Sequence, residues 1–314
     1  MTISAVREAV AQQTAAVEVV PMSIHIGAEI HGVDLSRPLP PAQVSAVRAA
    51  LLRWKVVFFR DQTLDHAKHI AAARNFGDTT AGHVVYGSDG EYPQIYSVAK
   101  NRKANRFQGQ TLFRPWSGWH TDITAALNPP AASMLRGDVV PPYGGDTQFT
   151  SLVAAYNALS PVMQKFVDGL RGLHRFAPPP GVDESPEYRE LMRKRTLVSE
   201  HPIVRVHPET SERALFVSPS FLKSIVGVSA RESQVLLEFL WEHIVRPEFT
   251  ARFRWAPGSV AFWDNRATAH LAPRDIFDSD FDRQFYRVTL VGDVPVGVDG
   301  KPSTAIEGQP IVAV

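Results

Sequence analysis

HPIVRVH at residues 201–207, ALFVS at 214–218, SARESQVLLEFLWEHIV at 229–245, FRW at 253–255, VAFWD at 260–264 and FYRVTLVGD at 285–293 form one stretch of chain in which the apolar spacing keeps changing. The first two and the last three have strand length and are rich in β-branched and aromatic residues. The piece at 229–245 instead repeats its apolar residues at helical spacing. Glycine or proline stands at nearly every junction, where the chain must turn. Short strands at close spacing, with helices gathered in a few blocks, predict a mainly β fold: a sandwich or barrel core buttressed by α-helices, and not a regular βαβ winding.

The same reading extends upstream. MSIHIGAEIHGVDL (22–35) alternates around glycines like short strands with a turn, and Pro40 to Leu52 has apolar Val44, Val47, Ala50 and Leu51 at helical spacing. VVFFR (56–60) fits a buried strand, and His66 to Phe76 a helix that Gly77 stops. Residues 78–119 are polar and glycine-containing, which suggests an active-site lid. Strands are expected at Ala131–Leu135 and Thr147–Phe149, then a helical block from Leu152 to Leu170, a Pro-rich loop (177–188) and a polar helix. Residues 1–20 are read as an extension, either a short helix or an unpacked tail, and 21–314 as one domain. No internal repeat and no GxGxxG or GxxxxGK[ST] phosphate cradle is found.

Composition narrows the function. With 314 residues, a formal net charge of +1, 44% hydrophobic and 21% charged residues, the chain is that of an ordinary globular protein with no global field for nucleic acid or membrane. A small molecule is the expected ligand. There is no cysteine, so thiolate metal sites, iron–sulfur clusters, disulfides and cysteine nucleophiles are excluded together. Arg7, Glu8, Gln12 and Gln13 interrupt any signal-peptide core, and no segment reaches the roughly 20 apolar residues of a spanning helix, so a cytoplasmic location is expected.

Trp119-His120-Thr121-Asp122 puts an imidazole and a carboxylate two residues apart. In an extended segment such side chains share a face and can grip one ion. His270, in FWDNRATAH, is the best third ligand. Two histidines and one carboxylate leave three positions open on iron(II), two for a bidentate 2-oxo acid and one for dioxygen. The same ligands would also serve a zinc hydrolase, or a non-catalytic binding protein that keeps the metal only for stability. Downstream, Arg283 and Arg287 lie four apart on one face of a strand. A buried guanidinium fork suits the distal carboxylate of 2-oxoglutarate, and the second arginine an anionic substrate group.

With these residues in place, the chain resembles the taurine dioxygenase family of iron(II)/2-oxoglutarate oxygenases from about Ile24 to Pro295. The resemblance rests on WHTD (119–122), NPPAA (128–132), YGGDT (143–147), HPIVRVHPET (201–210), RPEFTARFRW (246–255), WDNRATAH (263–270) and RQFYRVTLVGD (283–293), in the family's order. It implies a double-stranded β-helix, or jelly-roll, with the metal at one mouth. His120, Asp122 and His270 would hold iron, Thr147 and Arg283 the distal carboxylate of 2-oxoglutarate, and Arg287 the substrate anion. His83 and Tyr86, in an HxxY pattern, would face the substrate together with Phe176 and Phe221.

Trp116 stands where taurine-specific members carry an asparagine, which disfavours compact, polar taurine. The implied reaction is oxygen-dependent hydroxylation of an alkyl sulfonate or alkyl sulfate, releasing succinate and carbon dioxide. The same chemistry on an aryloxyalkanoate is the alternative. A homo-oligomer, dimer or tetramer, is expected.

Overall fold

The computed structural model describes residues 16–88, 90–99, 114–176, 186, 190 and 195–314. Most of the N-terminal extension, residues 100–113 of the expected lid, and nearly all of the Pro-rich loop with the helix expected after it lie outside the described residues.

Strands β1 (Glu18–Pro21) and β2 (Ala28–His31) precede helix α1 (Pro41–Trp54), followed by β3 (Val56–Phe59), α2 (His66–Arg74), β4 (Tyr96–Ala99), β5 (Ala132–Val139) and β6 (Thr147–Ser151). Helices α3 (Leu152–Asn157) and α4 (Pro161–Asp168) lead to β7 (Arg171–Arg175), β8 (Val198–Pro202), β9 (Val204–Val206), β10 (Arg213–Leu215) and β11 (Leu222–Ile225). Helix α5 (Ala230–Ile244) then precedes β12 (Thr250–Phe253), β13 (Val260–Asp264), β14 (Thr268–Leu271), β15 (Gln284–Thr289), β16 (Val296–Gly297) and β17 (Thr304–Glu307). The fold is therefore mainly β with helices.

Seven strands form one sheet in the order β1-β2-β3-β13-β5-β15-β4, antiparallel except at β2–β3. Its two faces separate by the period of two in each strand. Val57, Phe59, Met134, Val260, Phe262 and Val288 point outward and are covered by Val47 and Leu51 of α1 and Ile70 and Ala73 of α2. Val56, Phe58, Leu135, Ala261, Trp263 and Phe285 point inward, toward Phe149 and Phe253 of a second sheet ordered β12-β6-β14. Phe58 stacks on Phe253 at 3.9 Å and meets Phe149 edge-on at 5.7 Å, so aromatic side chains fill the space between the two sheets. A separate core joins α3 and α5 to β9, β10 and β11. Helix α5 starts at a capping box in which Ser229 and Glu232 satisfy each other's backbone N–H.

The structure departs from the sequence reading in four places. The expected lid contains β4, which pairs with β15 as the edge of the large sheet, so part of that polar segment is sheet. β1 begins within the residues read as an extension, crosses into the domain at Pro21 and pairs with β2. The helical block breaks into α3 and α4, because Ser160 caps a new helix with Pro161 in its first turn. HPIVRVH divides into β8 and β9, which belong to different sheets; Pro202, at the division, has no N–H to continue a ladder.

Candidate active site

His120 and His270, 150 residues apart in the chain, are fastened by an isolated antiparallel bridge: His120 N–H donates to the His270 carbonyl at 2.9 Å and His270 N–H to the His120 carbonyl at 2.7 Å. Their rings lie 4.2 Å apart. Thr121 fixes the same junction by donating its hydroxyl to the Thr268 carbonyl at 2.7 Å. Asp122 emerges beside them, and His270 Nε2 stands 4.0 Å from Asp122 Oδ1. Ligand atoms of all three side chains lie within 4.8 Å of one another. The next residue, Ile123, is β-branched yet has φ of +46°, a backbone conformation that costs energy and is maintained only where the surroundings impose it.

The protonation states suit a metal. Burial keeps both imidazoles below the ordinary histidine pKa, His270 well below, so they are neutral near pH 7. His120 Nδ1 lies 3.0 Å from the Gly118 carbonyl, which assigns the proton to that nitrogen and leaves Nε2 with its lone pair. Burial opposes ionisation of Asp122, but the guanidinium of Arg287, then His270, His120 and a hydrogen bond from Ser133, hold its carboxyl well below the usual carboxylate range. Two neutral imidazoles and one carboxylate form a donor set that fits a divalent cation with vacant positions.

Arg283 and Arg287 are both buried, at 7% and 8% exposure, but have different partners. Arg287 Nη1 donates to Asp122 Oδ1, and its guanidinium lies 5.2 Å from the Tyr96 ring. Arg283 lies over the Phe285 ring at 3.8 Å and donates from Nε to the Gly145 carbonyl at 3.2 Å. Among the described residues no carboxylate pairs directly with Arg283. Burial lowers its pKa to about 10, against the opposing pull of Asp275 and Asp146. The φ of +65° at residue 145 favours glycine, and a Cβ there would crowd the Arg283 side chain at 3.2 Å. Two residues on, Thr147 Oγ1 accepts from Trp255 Nε1 at 3.0 Å, and Trp255 packs edge-on against Phe285 at 4.5 Å. Thr147 and Arg283 thus share one neighbourhood.

The aromatic residues form a wall beside Arg287. His83 contacts Tyr86, Tyr96 and Phe176 at ring separations of 4.5, 4.8 and 5.9 Å, and Phe176 meets Phe221 at 5.7 Å. Behind it, Val85, Ile123, Ala125, Leu197 and Ile311 form an apolar cluster. Trp116 is partly buried, and its ring neighbour is Trp241 of α5 at 6.1 Å.

Sequence reasoning missed four residues. Tyr96 is opposite Arg287 in the β4–β15 register, a pairing hidden inside an apparent loop. Ser133 and Asn265 contact Asp122; Asn265 lies in the WDNRATAH motif, whereas Ser133 carries no local signal. Ile311 is reached only through tertiary packing, its backbone clasped by Asn128 at 2.8 and 2.9 Å.

The family model described as "Taurine catabolism dioxygenase TauD, TfdA family" matches residues 18–289. An alpha-ketoglutarate-dependent sulfate ester dioxygenase of Pseudomonas putida is 40% identical over 295 residues, which cover 91% of this chain and 93% of that protein. An alkylsulfatase of Acinetobacter baylyi is 36% identical over 285 residues, covering 88% and 85%. The crystal structure of a taurine dioxygenase from Burkholderia xenovorans superposes with a TM-score of 0.83 at 60% identity, covering 94% of this chain and 97% of that one. No helix among the described residues is long and apolar enough to cross a membrane.

Proposed function

The chain belongs to the taurine catabolism dioxygenase TauD, TfdA family, and from that membership we infer that it is an iron(II)- and 2-oxoglutarate-dependent dioxygenase acting on an alkyl sulfate ester or alkyl sulfonate. The observation that carries the substrate class is the junction of a buried cation with an apolar wall: Arg287 at one end, His83, Tyr86, Tyr96, Phe176 and Phe221 beside it. That arrangement suits a small anion with a hydrocarbon tail. The names of the sulfate ester dioxygenase and the alkylsulfatase support the sulfate ester over an aryloxyalkanoate.

In this reading His120, Asp122 and His270 hold the iron. Bound iron(II), with 2-oxoglutarate and dioxygen, supplies the power to hydroxylate an unactivated C–H bond, with succinate and carbon dioxide as co-products. Arg283 and Thr147 receive the distal carboxylate of 2-oxoglutarate, a role supported by the absence of a carboxylate partner for Arg283 among the described residues. Arg287 binds the sulfate or sulfonate and points the adjoining carbon toward the three ligands. The aromatic wall excludes water and admits a longer chain than taurine. Hydroxylation at the carbon bearing the ester oxygen puts a hydroxyl and a sulfate on one carbon. Loss of the hydroxyl proton and cleavage of the carbon–oxygen bond to sulfate then give an aldehyde and inorganic sulfate.

The two facing sheets support assigning the core as a double-stranded β-helix. A homo-oligomer belongs to the same proposal, supported by exposed Val162 and Phe166 on α4 and Val235 and Phe239 on α5, and solution mass measurement checks it.

The test is a panel of linear alkyl sulfates, alkyl sulfonates, taurine and an aryloxyacetate, scored for succinate, aldehyde and sulfur-anion release with and without oxygen. Alkyl sulfates are expected to turn over fastest and only with oxygen. Preference for taurine or the aryloxyacetate would overturn the substrate class, and metal-dependent melting without succinate would indicate a non-catalytic binding protein. Arg287→Gln is expected to raise KM for the sulfate about 10–100-fold with little effect on 2-oxoglutarate, and Arg283→Gln the reverse, as loss of a buried charge-assisted contact implies. Equal effects on both substrates would remove the division of labour.

A further inference from the structure

One side of Asp122 rests on a chain of buried polar groups whose proton positions can be assigned from chemistry. Trp263 Nε1–H can only donate, and it meets Asn265 Oδ1 at 3.0 Å. The Asp122 backbone N–H, also a pure donor, approaches the same oxygen at 3.4 Å. Both fix the orientation of the Asn265 amide, so its Nδ2 is the atom facing Ser133 Oγ at 2.9 Å. Nδ2 donates, hence Ser133 Oγ accepts there and has its own proton free to donate. That proton goes to Asp122 Oδ2, 2.7 Å away. Ser133 is fully buried, Asn265 1% exposed and Asp122 2% exposed, so water does not compete for these groups. The strands impose the arrangement, because Ser133 and Trp263 are directly opposite in the β5–β13 register.

We propose that Ser133 and Asn265 are positioning residues that occupy Asp122 Oδ2 and thereby restrict Asp122 to a one-oxygen ligand through Oδ1. This rests on the metal-centre reading above. Oδ1 faces the ligand cluster, where it accepts from Arg287 Nη1 and stands 4.0 Å from His270 Nε2, whereas Oδ2 points back into the sheet toward Ser133. A carboxylate free to rotate could use both oxygens and take up a position that the co-substrates need. The Asn265–Ser133 pair prevents that rotation, since Asn265 Nδ2 already occupies the Ser133 oxygen and turning the carboxylate would leave the buried Ser133 proton without an acceptor.

The experiment is anaerobic titration of the full chain with cobalt(II), read by visible absorption and by affinity, for wild type, Ser133→Ala and Ser133→Thr. Ser133→Ala removes one oxygen atom from a well-packed site, and a thermal melt verifies that it folds. It is expected to weaken cobalt(II) about 10–100-fold, the usual consequence of losing a hydrogen-bond partner of a ligand, and to change the absorption envelope as the coordination number changes. Ser133→Thr, which keeps the hydroxyl, is expected to restore both. A Ser133→Ala protein with wild-type affinity and spectrum would overturn the positioning role while leaving the metal centre standing. A wild type that takes up no cobalt(II) would overturn the metal centre and the positioning role together.

Discussion

Two aspartates lie deep in the same β-rich core, and they differ in how many partners the protein gives their oxygens. Asp264, at the end of β13, accepts from the Arg266 backbone N–H, Nε and Nη2 at 2.8, 2.9 and 2.7 Å, and lies 3.0 Å from His207 Nε2. Burial opposes its ionisation, yet Arg266 and His207 hold it well below the usual carboxylate range. Arg266 in turn reaches Glu209 at 2.7 Å and Glu209 pairs with Arg48 at 2.8 Å, so two carboxylates face two guanidinium groups within that network. Asp122 is as deeply buried and as firmly ionised, but its Oδ1 meets a single guanidinium beside two neutral imidazoles. A buried charge whose partners are complete stabilises a turn; one with an incomplete set is arranged for something that arrives later.

The largest expected effect falls on the incomplete site. Asp122→Asn is expected to cut 2-oxoglutarate turnover on the order of a thousandfold or more, since a ligand outweighs the 10–100-fold typical of its supporting shell. It should also abolish the rise in melting temperature that added divalent metal gives the wild type. A variant that keeps both properties would end the contrast.

Asp264→Asn is the matching change at the complete site. It is expected to cost about 3–5 kcal/mol of stability, because Arg266 and His207 lose a buried anion. Urea denaturation of the two variants side by side sharpens the comparison: Asp122→Asn, which forfeits one charged contact, should lose less. Equal losses would mean that the two aspartates do not differ in structural role.

An effect spread over a pH range comes from acid. Burial holds His69 and His201 down at about 3, below the roughly 6.5 of an unfolded histidine. As pH falls below about 6.5 the unfolded chain binds protons that the native chain refuses, so stability declines by about 1.4 kcal/mol per pH unit for each such imidazole. Both aspartates stay ionised in native and unfolded chains between pH 6.5 and 5, so the loss in that window belongs to histidine. Denaturation midpoints that do not change between pH 6.5 and 5 would contradict it.

Much of this was legible beforehand for one physical reason, that local spacing writes local geometry. His120 and Asp122 share a side because neighbours two apart in extended backbone do, and Arg283 and Arg287 by the same rule. The helix at 230–244 followed from its apolar period. Tyr96 was not legible, since an edge strand in a polar segment has too few buried residues to show a period of two. Ser133 was not legible because a serine between apolar strand residues looks the same whether or not a carboxylate lies opposite.

By itself the sequence determined the mainly β class, the family, the ligand types and the pairing of cationic with aromatic residues. Those are matters of composition, motif and short-range periodicity. The tertiary structure decided which oxygen of Asp122 meets Arg287 and which meets Ser133, which arginine has a carboxylate and which, among the described residues, lacks one, and that Tyr96 belongs to the wall beside the site with Ile311 behind it. Each of these depends on contacts between residues far apart in the chain, set by strand register and sheet stacking, and no local pattern encodes the direction of a hydrogen bond across a sheet.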